Sequence, residues 1–394
     1  MEPITFLTYL AVVLLLGIIC TLLSQKIKIP NILLLIATGI LISNLYYKGE
    51  SLIQFPDAFL TCISVLALVL IVFDASSRFK LGEFTNFSVW ALKLAAVFLV
   101  LNVIFLTFLT FKLFPVGSVL IALLFSTLMS GTAPDAVVMM FGKSKNKIFE
   151  LLEVEAIINT PLIVLLPFII IDFIKSVKVE YVFSKFIEQV GPFIQQFVTG
   201  IGAGMVVGLI VLKIMKRKYS ETLSPLAIIT SALLAYTIAE NLGGNGVLAV
   251  TTMGLFFGNI YVTHKVQLRE VSAFFANSLE ILVFILIGLI IKIPFNSSFI
   301  IKSLILFAAY LVIRYLAIEL SLNKLGYNLK EKLFMTFNVQ KGIAVAVVAF
   351  TLTTLSIAGI ETILHLILLF MLYSIILSTI VVRFSGFFVN PSTK

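Results

Sequence analysis

Four carboxylates stand where apolar helix is expected on both sides. They are Asp135, Glu150, Glu153 and Glu155, within Ser126–Pro161, a stretch that also carries Ser130-Gly131-Thr132-Ala133-Pro134 and Asn159-Thr160-Pro161. An ionised carboxylate at the centre of a bilayer costs roughly 2.5 to 3.5 kcal/mol, so a chain that keeps several there uses them. The chemistry open to such a group is reversible. In a partly dry cavity desolvation raises a carboxylate's pKa, and protonation then competes with cation binding near working pH. Asp135 suits this role best. Pro134 fits the first position of a half-helix restarting after the Ser-Gly-Thr-Ala-Pro interruption, which sets Asp135 at the positive end of its dipole. Capping of that half-helix by Asp135 is compatible with ion binding. Ser130 and Thr132 in the break, with Asn159 and Thr160 further on, add oxygen ligands of the kind hard alkali ions take. The expected alkali-cation site is therefore Asp135, Thr132, Asn159 and Thr160.

These groups must be positioned by a membrane bundle. Of 394 residues, 60% are apolar and 12% charged, with a mean hydropathy of +1.16, a composition of integral membrane proteins. Apolar length and loop punctuation predict about thirteen spans, near 4–23, 31–47, 57–77, 87–113, 117–141, 150–173, 190–213, 222–241, 245–263, 273–292, 296–322, 331–356 and 361–388. The first has no basic region before it and no small-x-small site after it, so it reads as a retained span. Cys20 and Cys62 fall inside apolar runs and imply no disulfide framework.

The net charge of +9 sits in short loops and reports orientation rather than a nucleic-acid partner. Loops after odd-numbered spans and the C-terminal end hold 18 Lys and Arg residues, and loops after even-numbered spans hold 7. That asymmetry predicts an outside N-terminus and a cytoplasmic C-terminus in the cell membrane. Of the 28 basic residues, 28 − 25 leaves three inside spans: Lys93, Arg314 and Lys341. Lys93 lies near a helix start and can snorkel; the other two need partners.

Two spans read as discontinuous. The fifth breaks at Ser130–Pro134 and the twelfth carries Asn338-Val339-Gln340-Lys341-Gly342 in its middle. They are seven spans apart, and an odd offset gives them opposite orientations. Inverted repeats with broken helices crossing near the midplane produce this pattern, and expose half-helix ends to an ion or substrate.

At this point the sequence resembles the monovalent cation:proton antiporters, and among them the NhaP-type sodium/proton antiporters. The likeness rests on LAYTIAENLGGNGVLAVTTMGLFFGN near 234–259, LEVEAIINT at 152–160, SGTAPDAV at 130–137 and EKLFMTFNVQKGIAVAVVAF at 331–350, with weaker support from FILIGL and Arg314. The resemblance implies an all-α fold of thirteen spans with inverted repeats and two crossing discontinuous helices, a homodimer, and elevator-like alternating access. It implies a core bundle including 57–173 and 273–388, and scaffold helices including 4–47 and 190–263. Two departures stand out. The family's Asn-Asp is Asn159-Thr160 here, and the Asp of its Thr-Asp-Pro is Ala133.

By the same resemblance Glu155 pairs with a basic residue of the other repeat, either Arg314 or Lys341. Glu280, where the family often has Asn, is either a replacement proton carrier or the counter-ion of one of those two bases. Glu153 reads as a solvated loop position or part of the site, and Glu150 as interfacial. Asp74 and Arg78 have the spacing of an i to i+4 pair, Glu240 falls near a span end, and Glu319 can face Lys324. His264 and His365 have no metal-ligand spacing, and no phosphate-binding loop is present, so no cofactor is expected. The sequence stops soon after its last span, so no soluble regulatory tail is expected. Not an enzyme but a secondary antiporter exchanging Na+ for H+ is the main reading. A gradient-driven carrier of an organic anion or other small solute is the alternative.

Overall fold

The computed structural model describes residues 3–27, 29–47, 50–78, 86–133, 146–176, 186–217, 220, 223–260, 265–294 and 296–389. Among them nine helices are long and apolar enough to cross a membrane, and four more are apolar but shorter: Asn31–Ser43, Val119–Met129, Gly246–Asn259 and Ile343–Thr353. One of these thirteen falls in each of the thirteen stretches expected from sequence.

Two compact units emerge from the packing. The first comprises Met1–Ser64, Thr85–Asn159 and Leu279–Lys394, and the second Val65–Phe84 and Thr160–Ser278. In chain order the helices are α1 (Pro3–Ile27), α2 (Asn31–Ser43), α3 (Asp57–Arg78), α4 (Asn86–Leu101), a π turn (Asn102–Leu106), α5 (Thr107–Leu113), α6 (Val119–Met129), α7 (Lys147–Ser176) and α8 (Phe186–Arg217). Then come α9 (Leu223–Asn241), α10 (Gly246–Asn259), α11 (Lys265–Ile290), α12 (Ser297–Leu322), α13 (Leu329–Phe337), α14 (Ile343–Thr353), α15 (Ile360–Arg383) and α16 (Ser385–Phe388). A two-residue ladder, β1 (Tyr46–Tyr47) with β2 (Glu50–Ser51), pairs antiparallel after α2.

In the first unit the centre is α14, buried on every side from Ala344 to Leu352, as a helix apolar all round requires. Phe98, Phe307, Tyr310 and Phe370 form an aromatic cluster nearby, with ring centroids 5.2 to 5.9 Å apart. Close helix approach rests on glycine. A Cβ on Gly39 would lie 2.2 Å from the Ile285 carbonyl oxygen and 2.9 Å from Gly288 Cα, so α2 and α11 touch backbone to backbone as small residues permit in membranes.

The second unit is built on mutual packing of α8, α9 and α10. Gly204 faces the Ala249 carbonyl oxygen so closely that a Cβ would stand 2.1 Å from it. Asn245 caps α10 by accepting from Leu248 N at 2.9 Å, and its amide donates to Asp172 Oδ2 at 2.8 Å. Glu240, expected near a span end, accepts from Gly246 N at 2.8 Å and so joins the end of α9 to the start of α10. Asp74 and Arg78 pair at 2.6 Å on the last turn of α3.

Candidate functional site

The fifth-span helix stops, and the twelfth span is interrupted, where the sequence predicts. After Met129 the chain makes a turn at Ser130 and runs without regular structure through Ala133. In the other span α13 stops at Phe337, Asn338–Gly342 is non-helical, and α14 restarts at Ile343. The two breaks touch directly: Ala133 N donates to the Gln340 carbonyl at 2.8 Å. Residues 134–145, and with them Pro134 and Asp135, lie outside the described residues.

Interrupting a helix strands the carbonyls of its last turn, and those oxygens carry the negative end of the dipole. Here Lys341 collects them. Its Nζ donates to Met129 O at 2.7 Å, to Gly131 O at 2.6 Å and to Tyr310 Oη at 2.5 Å. An ammonium has three donors and no acceptor, so all three are used. The Lys341 backbone N–H donates to Ser374 Oγ at 3.2 Å. The side chain is fully buried.

Arg314 is equally buried and takes the other kind of partner. Nη1 and Nη2 donate to the two oxygens of Glu155 at 2.5 and 2.7 Å, a bidentate pair. The guanidinium carbon lies 4.7 Å from the centroid of the Phe98 ring. Of the two partners open to Glu155, the geometry selects Arg314, because α12 presents Arg314 towards α7 while Lys341 is committed to the break.

On α7, one turn beyond Glu155, the Asn159 amide bridges the fifth-span break. It donates to Ser130 O at 3.1 Å and to Thr132 Oγ1 at 3.3 Å. Ser130, Thr132 and Asn159 are thus brought together, all buried. Thr160 follows Asn159 on the same helix and is half-buried. Glu280 is half-buried on α11; the three donors of Lys341 and the two terminal nitrogens of Arg314 are engaged by other groups. Glu150 and Glu153 are exposed. Glu319 does not face Lys324: it pairs with Lys332 at 2.8 Å, because α13 folds back along α12 and brings its first turn within reach. Lys93 reaches the Leu320 and Ser321 carbonyls, at 3.2 Å each.

Three participants escaped the sequence reading. Tyr310 lies one turn before Arg314 on α12, a spacing that puts both on one face. Ser374 is a small polar residue in an apolar run, a weak signal. Asn102, whose Nδ2 donates to Ser130 Oγ at 3.2 Å, was visible as an amide in the middle of an apolar span. Several polar atoms around the break are buried with no partner among the described residues, including Asn102 Oδ1 and Asn338 Oδ1. An unmet buried acceptor costs about 1–3 kcal/mol.

Two breaks meeting inside a bundle, each exposing half-helix ends, define a class of polytopic membrane protein built around a central polar crossing. The chain belongs to the sodium/hydrogen exchanger transmembrane family, whose description it matches over residues 11–386. It is similar to the K(+)/H(+) antiporter NhaP2 of Shewanella baltica (strain OS223), 30% identical over 241 residues, 60% of this chain and 40% of the relative. It is also similar to the probable Na(+)/H(+) antiporter 2 of Methanocaldococcus jannaschii, 27% identical over 318 residues, 75% of this chain and 71% of that one. The chain spans about 40% of the length of the NhaP2 relatives. The fold is shared with the sodium proton antiporter MjNhaP1 from Methanocaldococcus jannaschii at pH 8, with a TM-score of 0.78 at 18% identity, covering 98% of each chain.

Proposed function

We propose that the protein is a secondary antiporter that exchanges a monovalent cation, sodium in the first instance, for protons by alternating access. The observation that carries this reading is the contact between the two breaks, Ala133 N to Gln340 O, surrounded by buried oxygens of Ser130, Thr132 and Asn159. Family membership and the names of the relatives, K(+)/H(+) and Na(+)/H(+) antiporters, support the same chemistry and make potassium the second cation to test.

Asp135 is the principal carboxylate of this proposal. It stands two residues beyond Ala133, so connectivity alone keeps its Cα within about 7 Å of that of Ala133. Charge supports it as well. Glu155 cancels Arg314, and the groups holding Lys341 are neutral, so a carboxylate beside the crossing would balance the ammonium. Sodium would take oxygens from Asp135, Thr132, Asn159 and Thr160, with Ser130 adjacent. Protonation of Asp135 would release it. Glu155 and Arg314 are the supporting pair, and Glu280 is the reserve acid. Residues 57–173 and 273–388 are the moving core in this scheme, against a scaffold including 4–47 and 190–263 that forms a homodimer. The N-terminus lies outside the cell membrane and the C-terminus in the cytoplasm.

Purified protein in liposomes carrying a pH-sensitive dye tests the reading. A sodium or potassium pulse is expected to move protons, and Asp135→Asn is expected to abolish the signal while the protein stays folded. No proton movement with either cation in well-folded wild-type protein would sink it.

A further inference from the structure

The last span ends in a surface of mixed character. α15 stops at Arg383, Phe384 closes it, and the chain turns at once into α16, held by Phe387 N–H donating to Phe384 O at 3.0 Å and Val389 N–H to Ser385 O at 2.8 Å. One side of this turn is fastened inwards. Val389 is buried, and the Phe388 ring centroid lies 6.2 Å from that of Phe334, a fully buried ring of α13 that is itself 5.6 Å from Phe149 on the first turn of α7. The other side is bare. Phe384 and Phe387, three residues apart, are 63% and 66% exposed, and Leu329 on the first turn of α13 is 61% exposed.

Two bases frame these apolar side chains. Lys330 Nζ lies 4.4 Å from the centroid of the Phe387 ring, and Arg383 directly precedes Phe384. Both are exposed, and neither meets a carboxylate among the described residues. The acids of α12 and α13 are engaged elsewhere. Glu331 accepts from Asn328 N at 2.9 Å in the capping box of α13, and Glu319 takes Lys332.

Arg383 is also the last residue of a helix long and apolar enough to cross a membrane, Ile360–Arg383, so the patch falls where hydrocarbon gives way to headgroups. On the orientation proposed above this end faces the cytoplasm, the side whose leaflet carries anionic lipids. Acyl chains suit Phe384, Phe387 and Leu329, and a phosphate suits Arg383 and Lys330. A free anion would satisfy the bases and leave the rings bare.

We propose that Lys330 and Arg383, with Phe384 and Phe387, bind the headgroup of an anionic phospholipid. Its presence steadies α13, the half-helix that runs from this patch to the twelfth-span break at Asn338 and whose end is tied to α15 by Ser378 Oγ donating to Phe337 O at 3.1 Å. The site stands on charge and exposure within one unit and does not depend on which ion the protein exchanges.

The test uses the full chain in neutral detergent, titrated with phosphatidylglycerol or with phosphatidylcholine of the same acyl chains and read by native mass spectrometry as lipid retained. Wild type is expected to hold phosphatidylglycerol at least tenfold more tightly. A base near an anionic surface contributes about a factor of five, so Lys330→Gln with Arg383→Gln is expected to weaken it about twenty-five-fold. The control, Lys26→Gln with Lys213→Gln, removes two exposed bases at the ends of other odd-numbered spans, and its affinity is expected to stay within threefold of wild type. Equal losses in the two double variants would reduce the effect to overall charge and overturn the proposal, as would equal retention of the two lipids by wild type. Phe384→Ala with Phe387→Ala leaves the charge alone and is expected to weaken phosphatidylglycerol at least fivefold; no change overturns the part given to the rings. All these substitutions fall on exposed side chains, and an unchanged melting midpoint in detergent alone checks folding. Phosphatidylglycerol is then expected to raise the wild-type midpoint more than phosphatidylcholine does, a difference that vanishes in Lys330→Gln with Arg383→Gln. Inorganic phosphate raising the midpoint as much as the lipid overturns the assignment to a lipid.

Discussion

Two cations are fully buried in the same unit and are held by opposite means. Arg314 meets a carboxylate through two parallel hydrogen bonds, whereas Lys341 meets two main-chain carbonyls and a phenol. The first arrangement cancels its charge on the spot and fixes α12 to α7. The second surrounds the amine, among the described residues, with neutral oxygens at the negative end of a half-helix. Neutral oxygen is also what an alkali ion accepts in place of water. The contrast teaches that burial of a base does not by itself reveal its work: the kind of partner separates a fastener from a group sitting where a mobile cation could sit.

The comparison breaks most visibly at the ion pair. Glu155→Gln strands Arg314 without compensation, and a loss of about 3–5 kcal/mol is expected, read as a lower unfolding midpoint in detergent. Replacing both partners together, Glu155→Met with Arg314→Met, is expected to restore most of that loss, because the desolvation cost of both charges goes too. If the double variant is as unstable as the single one, the pair is not a self-contained fastener.

Lys341→Met sharpens the other half. Each hydrogen bond from a charged donor is worth about 1.5–3 kcal/mol, but Lys341→Met also removes the cost of burying the ammonium, so a smaller net loss than at the ion pair is expected. Added sodium or potassium should then raise the midpoint of Lys341→Met more than that of the wild type, since the vacated carbonyls can take an alkali ion. Equal shifts in both proteins would remove the likeness between the ammonium and a transported ion. Ser374→Ala removes one neutral bond to the Lys341 backbone N–H and is expected to cost about 1 kcal/mol by the same measurement. The smallest effect belongs to the partly exposed pair: Glu319→Gln, which loosens Lys332, should change stability by about 0.2–1 kcal/mol and less in high salt.

Much of this was legible without coordinates because it depends on local composition. Thirteen apolar stretches announce thirteen helices, since a bilayer gives unpaired backbone groups no water. Ser130-Gly131-Thr132 and Asn338–Gly342 announce the two breaks, since polar and glycine residues cannot be wasted at that depth. The family could be read from the same segments. The pairing of Glu155 with a base was implied by the family resemblance, and its physical ground is that a lone charge there is too costly.

What the chain alone left open was who meets whom. Arg314 and Lys341 were equivalent partners for Glu155 until the rotation of α12 and the position of the twelfth-span break were known. Lys324 looked nearer to Glu319 than Lys332 because sequence distance does not show that α13 folds back along α12. Sequence therefore determined which groups enter the membrane and where helices must stop, both set by the free energy of each segment in lipid. Tertiary structure decided the pairings, because hydrogen bonds fall off within a few tenths of an ångström and so depend on how neighbouring helices are turned and packed.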